Sequence, residues 1–213
     1  MTKKIIRSLA IFLILVISFS LLTCDCGKSD RSNFRFVYMT DIHVQPELGG
    51  AEGLKAAIKA VNSLDPKPDF VLTGGDMIKD ATHEGFGRTD SLYNLYMELC
   101  KLFEMPVHNT IGNHDVFAIY ADSNVDPSHP EFGKKMFMNR LGDGKTYRSF
   151  DYQNWHFIQL DGVYMTSNRK YFGKIDSVQI EWLKQDLQKV GTERPIIICT
   201  HIPFYTMFYQ YID

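Results

Sequence analysis

The chain has 213 residues, of which 45% are apolar and 23% charged, so it is long enough to form one domain with a sizeable core. Its formal net charge of −2 gives no electrostatic basis for binding nucleic acid or an acidic membrane surface. Cys100 lies in a helical pattern and Cys199 in an apolar strand pattern. We therefore predict that both are buried thiols rather than parts of a disulfide framework.

The N-terminal residues differ in composition from the rest of the chain. Three basic residues, Lys3, Lys4 and Arg7, precede an apolar run from Leu9 to Leu22. This run is shorter than the roughly 20 residues that a membrane-spanning helix needs. The pattern favours an export signal over residues 1–23, with a single membrane anchor as the alternative.

The letters LLTC, which end at Cys24, resemble a loose bacterial lipobox. We therefore expect a signal of the lipoprotein type, with lipidation of Cys24 tying the protein to a lipid membrane. Residues 24–33 would form a tether, and residues 34–213 would form the functional domain. The protein would then be exported, either as a membrane-anchored lipoprotein or as a periplasmic or extracellular protein.

Strand and helix patterns alternate after the tether. In chain order they are a strand at 34–40, a helix at 50–64, a strand at 69–73, a helix at 92–103, a strand at 107–111, two strands joined by a turn near Gln153 and Asn154, a helix capped by Asp176, and a strand at 196–200. The first five form two successive βαβ units. They predict an α/β fold in which helices cover a parallel sheet.

Side chains of the metal-binding type follow four of these strands. The segments are Asp41-Ile42-His43, Gly74-Gly75-Asp76, Gly112-Asn113-His114-Asp115 and His201. Because ligands gather outside the carboxyl ends of strands in open α/β sheets, we expect these side chains to meet at one edge. Oxygen and imidazole ligands without thiolate suit transition metals such as Mn, Fe or Zn. Asp76 has two carboxylate oxygens, so it can bridge two ions.

The ordered motifs Asp41-x-His43, Gly75-Asp76, Gly112-Asn113-His114-Asp115 and His201 resemble those of the calcineurin-like metallophosphoesterase superfamily. The letters VQIEWLKQDLQKV before PIIICTHIPF are similar to the bacterial branch that includes class III cyclic nucleotide phosphodiesterases. The resemblance implies a four-layer α/β/β/α sandwich with a dinuclear metal site at the carboxyl edge of the sheets. Two divalent or mixed-valence transition metal ions would be bound there.

The resemblance also implies roles for single residues. Asp41, His43 and Asp76 would hold the first metal, and the bridging Asp76 would share the second with Asn113 and His201. His114 would be the catalytic side chain that stabilises or protonates the departing alkoxide. Asp115 would either orient the His114 imidazole or cap the following turn, and the sequence leaves both alternatives open.

The implied reaction is hydrolysis of a small phosphomonoester or phosphodiester by a hydroxide that the metals activate. The superfamily pattern ends with a Gly-His-x-His motif that this chain lacks, so we expect the C-terminal strands to be missing from the sequence. The alternative is a degenerate family member with little catalysis, acting as a binding protein. Asp80 and His83 are either pocket residues or solvated, and the segment from Ala118 to Gly133 is long enough to form part of a rim.

Overall fold

A computed structural model describes residues 33–204 of the chain. The predicted export signal at residues 1–23, Cys24 and nearly all of the tether lie outside the described residues, as does the C-terminal segment 205–213. The expectations for those segments therefore stay predictions. Within the described range, no helix combines the length and apolarity that crossing a membrane requires.

The described part of the chain alternates between short strands and helices. Its elements are β1 (Phe36–Met39), α1 (Gly50–Asn62), β2 (Phe70–Thr73), α2 (Phe86–Cys100), β3 (Val107–His108), α3 (Lys135–Arg140), β4 (Arg148–Tyr152), β5 (Trp155–Leu160), β6 (Val163–Met165), β7 (Tyr171–Gly173), α4 (Ser177–Val190) and β8 (Ile196–Thr200). Two 3-10 turns lie at Asn113–Asp115 and Ala121–Ser123. The predicted order of the first five elements is confirmed.

The first sheet has the order β1-β2-β3, and all its pairs are parallel. It confirms the two predicted βαβ units. The third strand is shorter than predicted, because only Val107 and His108 pair with β2. Beyond them the Thr110 amide donates to the side-chain oxygen of Thr73 at 3.2 Å, so the backbone ladder gives way to a side-chain contact.

The second sheet has the order β4-β5-β8. The β4–β5 pair is an antiparallel hairpin that turns at Gln153, whose φ is +52°, as predicted for this region. The β8 strand pairs with β5 in parallel. Strands β6 and β7 form a separate antiparallel hairpin that the sequence patterns did not indicate.

The two sheets face each other across an aromatic core. Phe70 and Leu72 of the first sheet pack in one cluster with Phe157 and Cys199 of the second. The opposite side of the first sheet belongs to a larger cluster, to which α1 contributes Leu54 and Ile58 and α2 contributes several buried side chains. Helices therefore cover the outer side of the first sheet.

Helix α4 covers the outer side of the second sheet. Asp186 on this helix accepts hydrogen bonds from Ser149 of β4 and His156 of β5, at 2.9 and 2.8 Å. The Asp176 side chain caps the helix by accepting the Gln179 amide at 2.8 Å, as predicted. Such a cap contributes about 1 kcal/mol to helix stability. The layers are therefore α/β/β/α, and the predicted α/β class with parallel strand pairs is confirmed.

Candidate metal centre

The loops that follow β1 and β2 are hydrogen-bonded to each other through their backbones. The amides of Asp41 and His43 donate to the carbonyls of Gly75 and Asp76, at 3.1 and 3.0 Å. Asp41, His43 and Asp76 all have left-handed backbones, with φ of +53°, +46° and +55°. Such conformations are uncommon outside glycine and concentrate at functional sites, where the surrounding structure enforces them. Here the paired loops hold three predicted ligands in place.

Two glycines allow the ligands to approach this closely. A Cβ atom on Gly75, whose φ is +102°, would lie 2.7 Å from the ring of His201. A Cβ atom on Gly112 would lie 2.2 Å from Oδ1 of Asp76. Both distances are shorter than real contacts, so a larger residue at either position would displace a predicted metal ligand.

Three predicted ligand atoms converge at the carboxyl ends of the strands. Nε2 of His201 lies 3.2 Å from Oδ2 of Asp76 and 3.0 Å from Oδ1 of Asn113. Atoms that bind one ion at roughly 2.1 Å, at angles of about 90–110°, lie about 3.0–3.4 Å apart. The spacing and the donor set of carboxylate, amide oxygen and imidazole therefore fit one transition metal ion.

The other predicted ligands, Asp41 and His43, also lie close to Asp76. Nε2 of His43 is 3.6 Å from Oδ2 of Asp76 and 4.0 Å from Oδ1 of Asp41. Asp76, Asp41 and His201 also form a group whose ligand atoms all lie within 4.8 Å of one another. Oδ2 of the buried Asp76 carboxylate is thus close to Nε2 of both histidines, as a bridging ligand has to be.

Backbone carbonyls decide which ring nitrogen each histidine offers. Nδ1 of His201 lies 2.9 Å from the Gly74 carbonyl oxygen, and Nδ1 of His43 lies 3.3 Å from that of Lys79. Since a carbonyl can only accept, Nδ1 carries the proton in each ring. This leaves Nε2 to point at the carboxylates. In metal-binding histidines a hydrogen bond from the other ring nitrogen fixes the ring in the same way.

Without a metal, Asp76 and His201 act as an ion pair. Burial alone would raise the pKa of Asp76, but the hydrogen bond and the charge of His201 outweigh it, and this pKa lies below its ordinary value. Burial alone would lower the pKa of His201, but the Asp76 carboxylate raises it to about 9. At neutral pH a proton therefore occupies the place where the geometry fits a metal.

The His114 side chain diverges from that of Asn113, as expected for neighbours leaving a strand. Its backbone amide donates to Oδ1 of Asp76 at 2.8 Å, and its ring lies at a 4.8 Å centroid distance from that of His43. His114, His43 and Asp76 also form a group close enough to share an ion. Geometry thus places His114 at the centre, and its catalytic role stays a prediction.

Asp80 is a site residue whose role the sequence left undecided. Its Oδ1 lies 3.5 Å from Nδ1 of His114 and accepts the amide and hydroxyl of Thr82 at 2.7 and 2.6 Å. The Asp80 carboxylate raises the pKa of His114. Burial alone would raise the pKa of Asp80, but His114 and Thr82 lower it to about 2. Asp80 is therefore the ionised partner of the His114 imidazole.

The Asp115 carboxylate bonds to the loop after β2 and to Gly112, rather than to the turn that follows it. Its carboxylate is fully buried and accepts the amides of Asp76, Met77 and Gly112 at 2.8–2.9 Å and that of Ile78 at 3.4 Å. These bonds give Asp115 a structural role, and its catalytic role in orienting His114 stays a prediction. The four N–H groups are buried and all point at the Asp115 carboxylate, so they need it as their hydrogen-bond acceptor.

Comparison with known proteins agrees with this geometry. The sequence model of the calcineurin-like phosphoesterase family matches residues 34–213. The chain belongs to this family. The superfamily predicted from the ordered motifs is therefore confirmed.

Two curated relatives in this comparison are similar to part of the chain. "Probable glycerophosphodiester phosphodiesterase GpdQ" of Arcobacter nitrofigilis is 24% identical over 152 residues, which cover 71% of this chain and 48% of the relative. "Manganese-dependent ADP-ribose/CDP-alcohol diphosphatase" of Homo sapiens is 29% identical over 106 residues, 49% of this chain and 30% of the relative. The matched part of the chain thus spans about half or less of each relative.

Proposed function

We propose that the protein is a metal-dependent hydrolase of phosphoester bonds in small molecules. One observation carries the proposal: Nε2 of His201 lies 3.2 Å from Oδ2 of Asp76 and 3.0 Å from Oδ1 of Asn113. The left-handed backbone of Asp76 keeps this cluster at the carboxyl ends of the sheets. Membership of the phosphoesterase family supports the same reaction class.

The residues of the centre suggest a division of labour. Bound cations would supply Lewis acidity and lower the pKa of solvent, which is the chemistry of dinuclear phosphoesterases. Asp41, His43, Asp76, Asn113 and His201 would hold them. Asn113 binds through a neutral oxygen, so it adds no negative charge beside an anionic substrate.

His114 would hold the proton that the leaving group needs. The Asp80 carboxylate raises the pKa of His114 above its ordinary value, which favours the protonated imidazolium form. General-acid assistance of this kind contributes roughly 10²- to 10⁴-fold to a rate. Asp80 would act through His114: its carboxylate, near Nδ1, would favour the protonated ring and hold the ring in its orientation.

The names of the two relatives narrow the substrate class. The Arcobacter relative is named for a glycerophosphodiester, and the human relative for ADP-ribose and CDP-alcohols. The name of the human relative also specifies manganese. We propose that this chain acts on a phosphodiester or diphosphate bond of comparable size, with Mn²⁺ as the first metal to test. Both names describe hydrolases, which does not favour the alternative of a binding protein.

The test combines metal content with turnover. The full chain is stripped of metal, reloaded with Mn²⁺, Zn²⁺ or Fe²⁺, and assayed with bis(p-nitrophenyl) phosphate, glycerophosphocholine and ADP-ribose. Asp76→Asn should lower the content of both ions and abolish turnover, because Asp76 faces both histidines. Asp143→Asn, at an acid whose side chain is 96% exposed, is the matched control and should retain both. Unchanged metal content in Asp76→Asn would remove Asp76 from its bridging role.

We also propose that the reaction takes place outside the cytoplasm. The basic start, the apolar run from Leu9 to Leu22 and Cys24 support this proposal. Cells that express the protein should incorporate labelled palmitate into it, and Cys24→Ser should prevent incorporation and release the protein from membranes. If Cys24→Ser incorporates no palmitate but still associates with membranes, the single membrane anchor would be favoured.

A further inference from the structure

Three aromatic side chains form a wall in the part of the structure next to His114. The ring of His83 stacks on that of Tyr120, with 4.3 Å between centroids and 15° between planes. The ring of Tyr171 lies 6.2 Å from that of Tyr120, at 62°. We call His83, Tyr120 and Tyr171 the aromatic wall. Its members come from the loop after β2, the rim segment 118–133 and strand β7.

Hydrogen bonds connect the aromatic wall to the candidate metal centre. The amide of Tyr120 donates to the carbonyl of Thr82 at 3.1 Å, and Thr82 in turn donates to Asp80, the partner of His114. Tyr171 lies close enough to the centre that, besides burial, the charges of Asp76 and Asp80 raise its pKa. The wall is thus next to the groups that would handle the leaving group.

The wall is held rigidly before any ligand binds. Nη2 of Arg169, on the β6–β7 hairpin, lies within 2.7–3.0 Å of three acceptors: the carbonyls of Ala118 and Tyr120 and the hydroxyl of Ser123. It thereby fastens the hairpin that carries Tyr171 to the rim segment. His83 is oriented by the Asp122 carboxylate at 2.8 Å. Rigid aromatic surfaces lose little conformational entropy on binding, which favours their use as ligand contacts.

One member of the wall presents an open surface. The His83 side chain is 50% exposed, although one face of its ring is covered by Tyr120. Tyr120 and Tyr171 are half-buried, so they offer less open surface than His83 does. A flat ring that stacked on His83 would extend an existing pair of parallel rings, whereas a glyceryl or choline group has no π face to offer.

We propose that the aromatic wall is a subsite for a planar aromatic ring, such as a nucleobase, in the organic part of the substrate. This inference rests on the proposed function and deepens it, because it selects nucleotide-type esters over those of aliphatic alcohols. The phosphoryl group would lie at the metal centre, and the ring would lie against His83.

The test compares two ligands that differ only in the base. AMP and ribose 5-phosphate carry the same phosphate and the same sugar, so their ratio of dissociation constants isolates the ring. With the Mn²⁺-loaded full chain, calorimetry should give AMP an affinity about tenfold higher, within the range that base stacking on aromatic side chains provides. His83→Ala should reduce this ratio severalfold, and His83→Phe, which restores a ring, should recover it.

Tyr164→Leu is the matched control, because Tyr164 is a tyrosine of the same hairpin that packs on Phe172 and Lys174 rather than on the wall. It should keep the wild-type ratio. A wild-type ratio near one, or a ratio that His83→Ala leaves unchanged, would overturn the subsite. Loss of the ratio in Tyr164→Leu would do the same, because the effect would then belong to the hairpin and not to the wall.

A second measurement separates this inference from the proposed function. Saturation-transfer NMR of adenosine with the metal-free chain reports ring binding without phosphate, metal or turnover. Binding that depends on His83, in a protein that hydrolyses no phosphoester with any metal, would support the subsite and overturn the function. Turnover without binding of adenosine would overturn the subsite and leave the function in place.

Discussion

A proton on His201 should compete with metal for the same nitrogen. The perturbation is the addition of Zn²⁺ to the metal-free protein, in which Nδ1 of His201 donates to the Gly74 carbonyl and Nε2 faces Asp76 and Asn113. Because the pKa of His201 is raised to about 9, both ring nitrogens carry protons at pH 7. Metal binding needs the lone pair of Nε2, so it must release that proton.

The size of this competition follows from the pKa. The pKa of His201 is about 9, so pH 7 lies about two units below it, and removing the proton at pH 7 costs about 2.7 kcal/mol. The affinity for the ion that binds His201 should therefore be about 100-fold weaker at pH 7 than above pH 9. It should rise about tenfold per pH unit between these limits.

The assay is NMR of the imidazole nitrogens, because diamagnetic Zn²⁺ leaves them observable. In the metal-free protein His201 should titrate near pH 9, and Zn²⁺ at pH 7 should convert it to the form protonated at Nδ1 alone. Asp76→Asn removes the charge that raises this pKa, so His201 should then titrate markedly lower. His156→Asn, at a histidine in the second sheet, should leave the titration unchanged. A metal-free His201 that titrates near 6.5 would refute the reasoning.

Three further predictions concern other parts of the structure. His114→Ala should retain the metals and lower turnover of alkyl phosphoesters roughly 10²- to 10⁴-fold, with a small effect on p-nitrophenyl esters. Asp80→Asn should lower turnover of the same alkyl esters to a smaller extent. Loss of metal from His114→Ala, measured by elemental analysis, would instead make His114 a ligand. Asp115→Ala should lower the free energy of unfolding in urea by at least about 3 kcal/mol, since four buried amides lose their acceptor; a change below 1 kcal/mol would contradict the structural role. Burial alone would lower the pKa of His156, but the carboxylates of Asp151 and Asp186 raise it above its ordinary value. The stability that His156 contributes should therefore be complete below about pH 6.5 and be lost as pH rises through its folded-state pKa. His156→Gln should lack this pH dependence when the free energy of unfolding is measured from pH 5 to 9.

Local patterns in the sequence were sufficient for the order of the first five elements and for the set of candidate ligands. Apolar runs predicted the strands that pair as β1-β2-β3, and the residues after them could be identified because parallel strands end at one edge. The Asp176 cap and the turn at Gln153 were also predicted, since both depend on neighbouring residues alone. The strand at 107–111 was predicted too long, because pairing depends on a partner distant in the chain.

Only the tertiary structure decided how the polar groups are paired. Asp115 is next to His114 in the sequence, yet its carboxylate binds amides of the β2 loop, while Asp80, from that same loop, faces His114. The Nδ1 atom of His201 is directed by a carbonyl 127 positions away. Residue type gives a side chain its donors and acceptors, but a buried polar group takes whichever partner the packed fold brings within about 3 Å. The sequence therefore predicted which chemical groups are available at this centre. Which residue plays which role depended on contacts between segments that are distant in the chain.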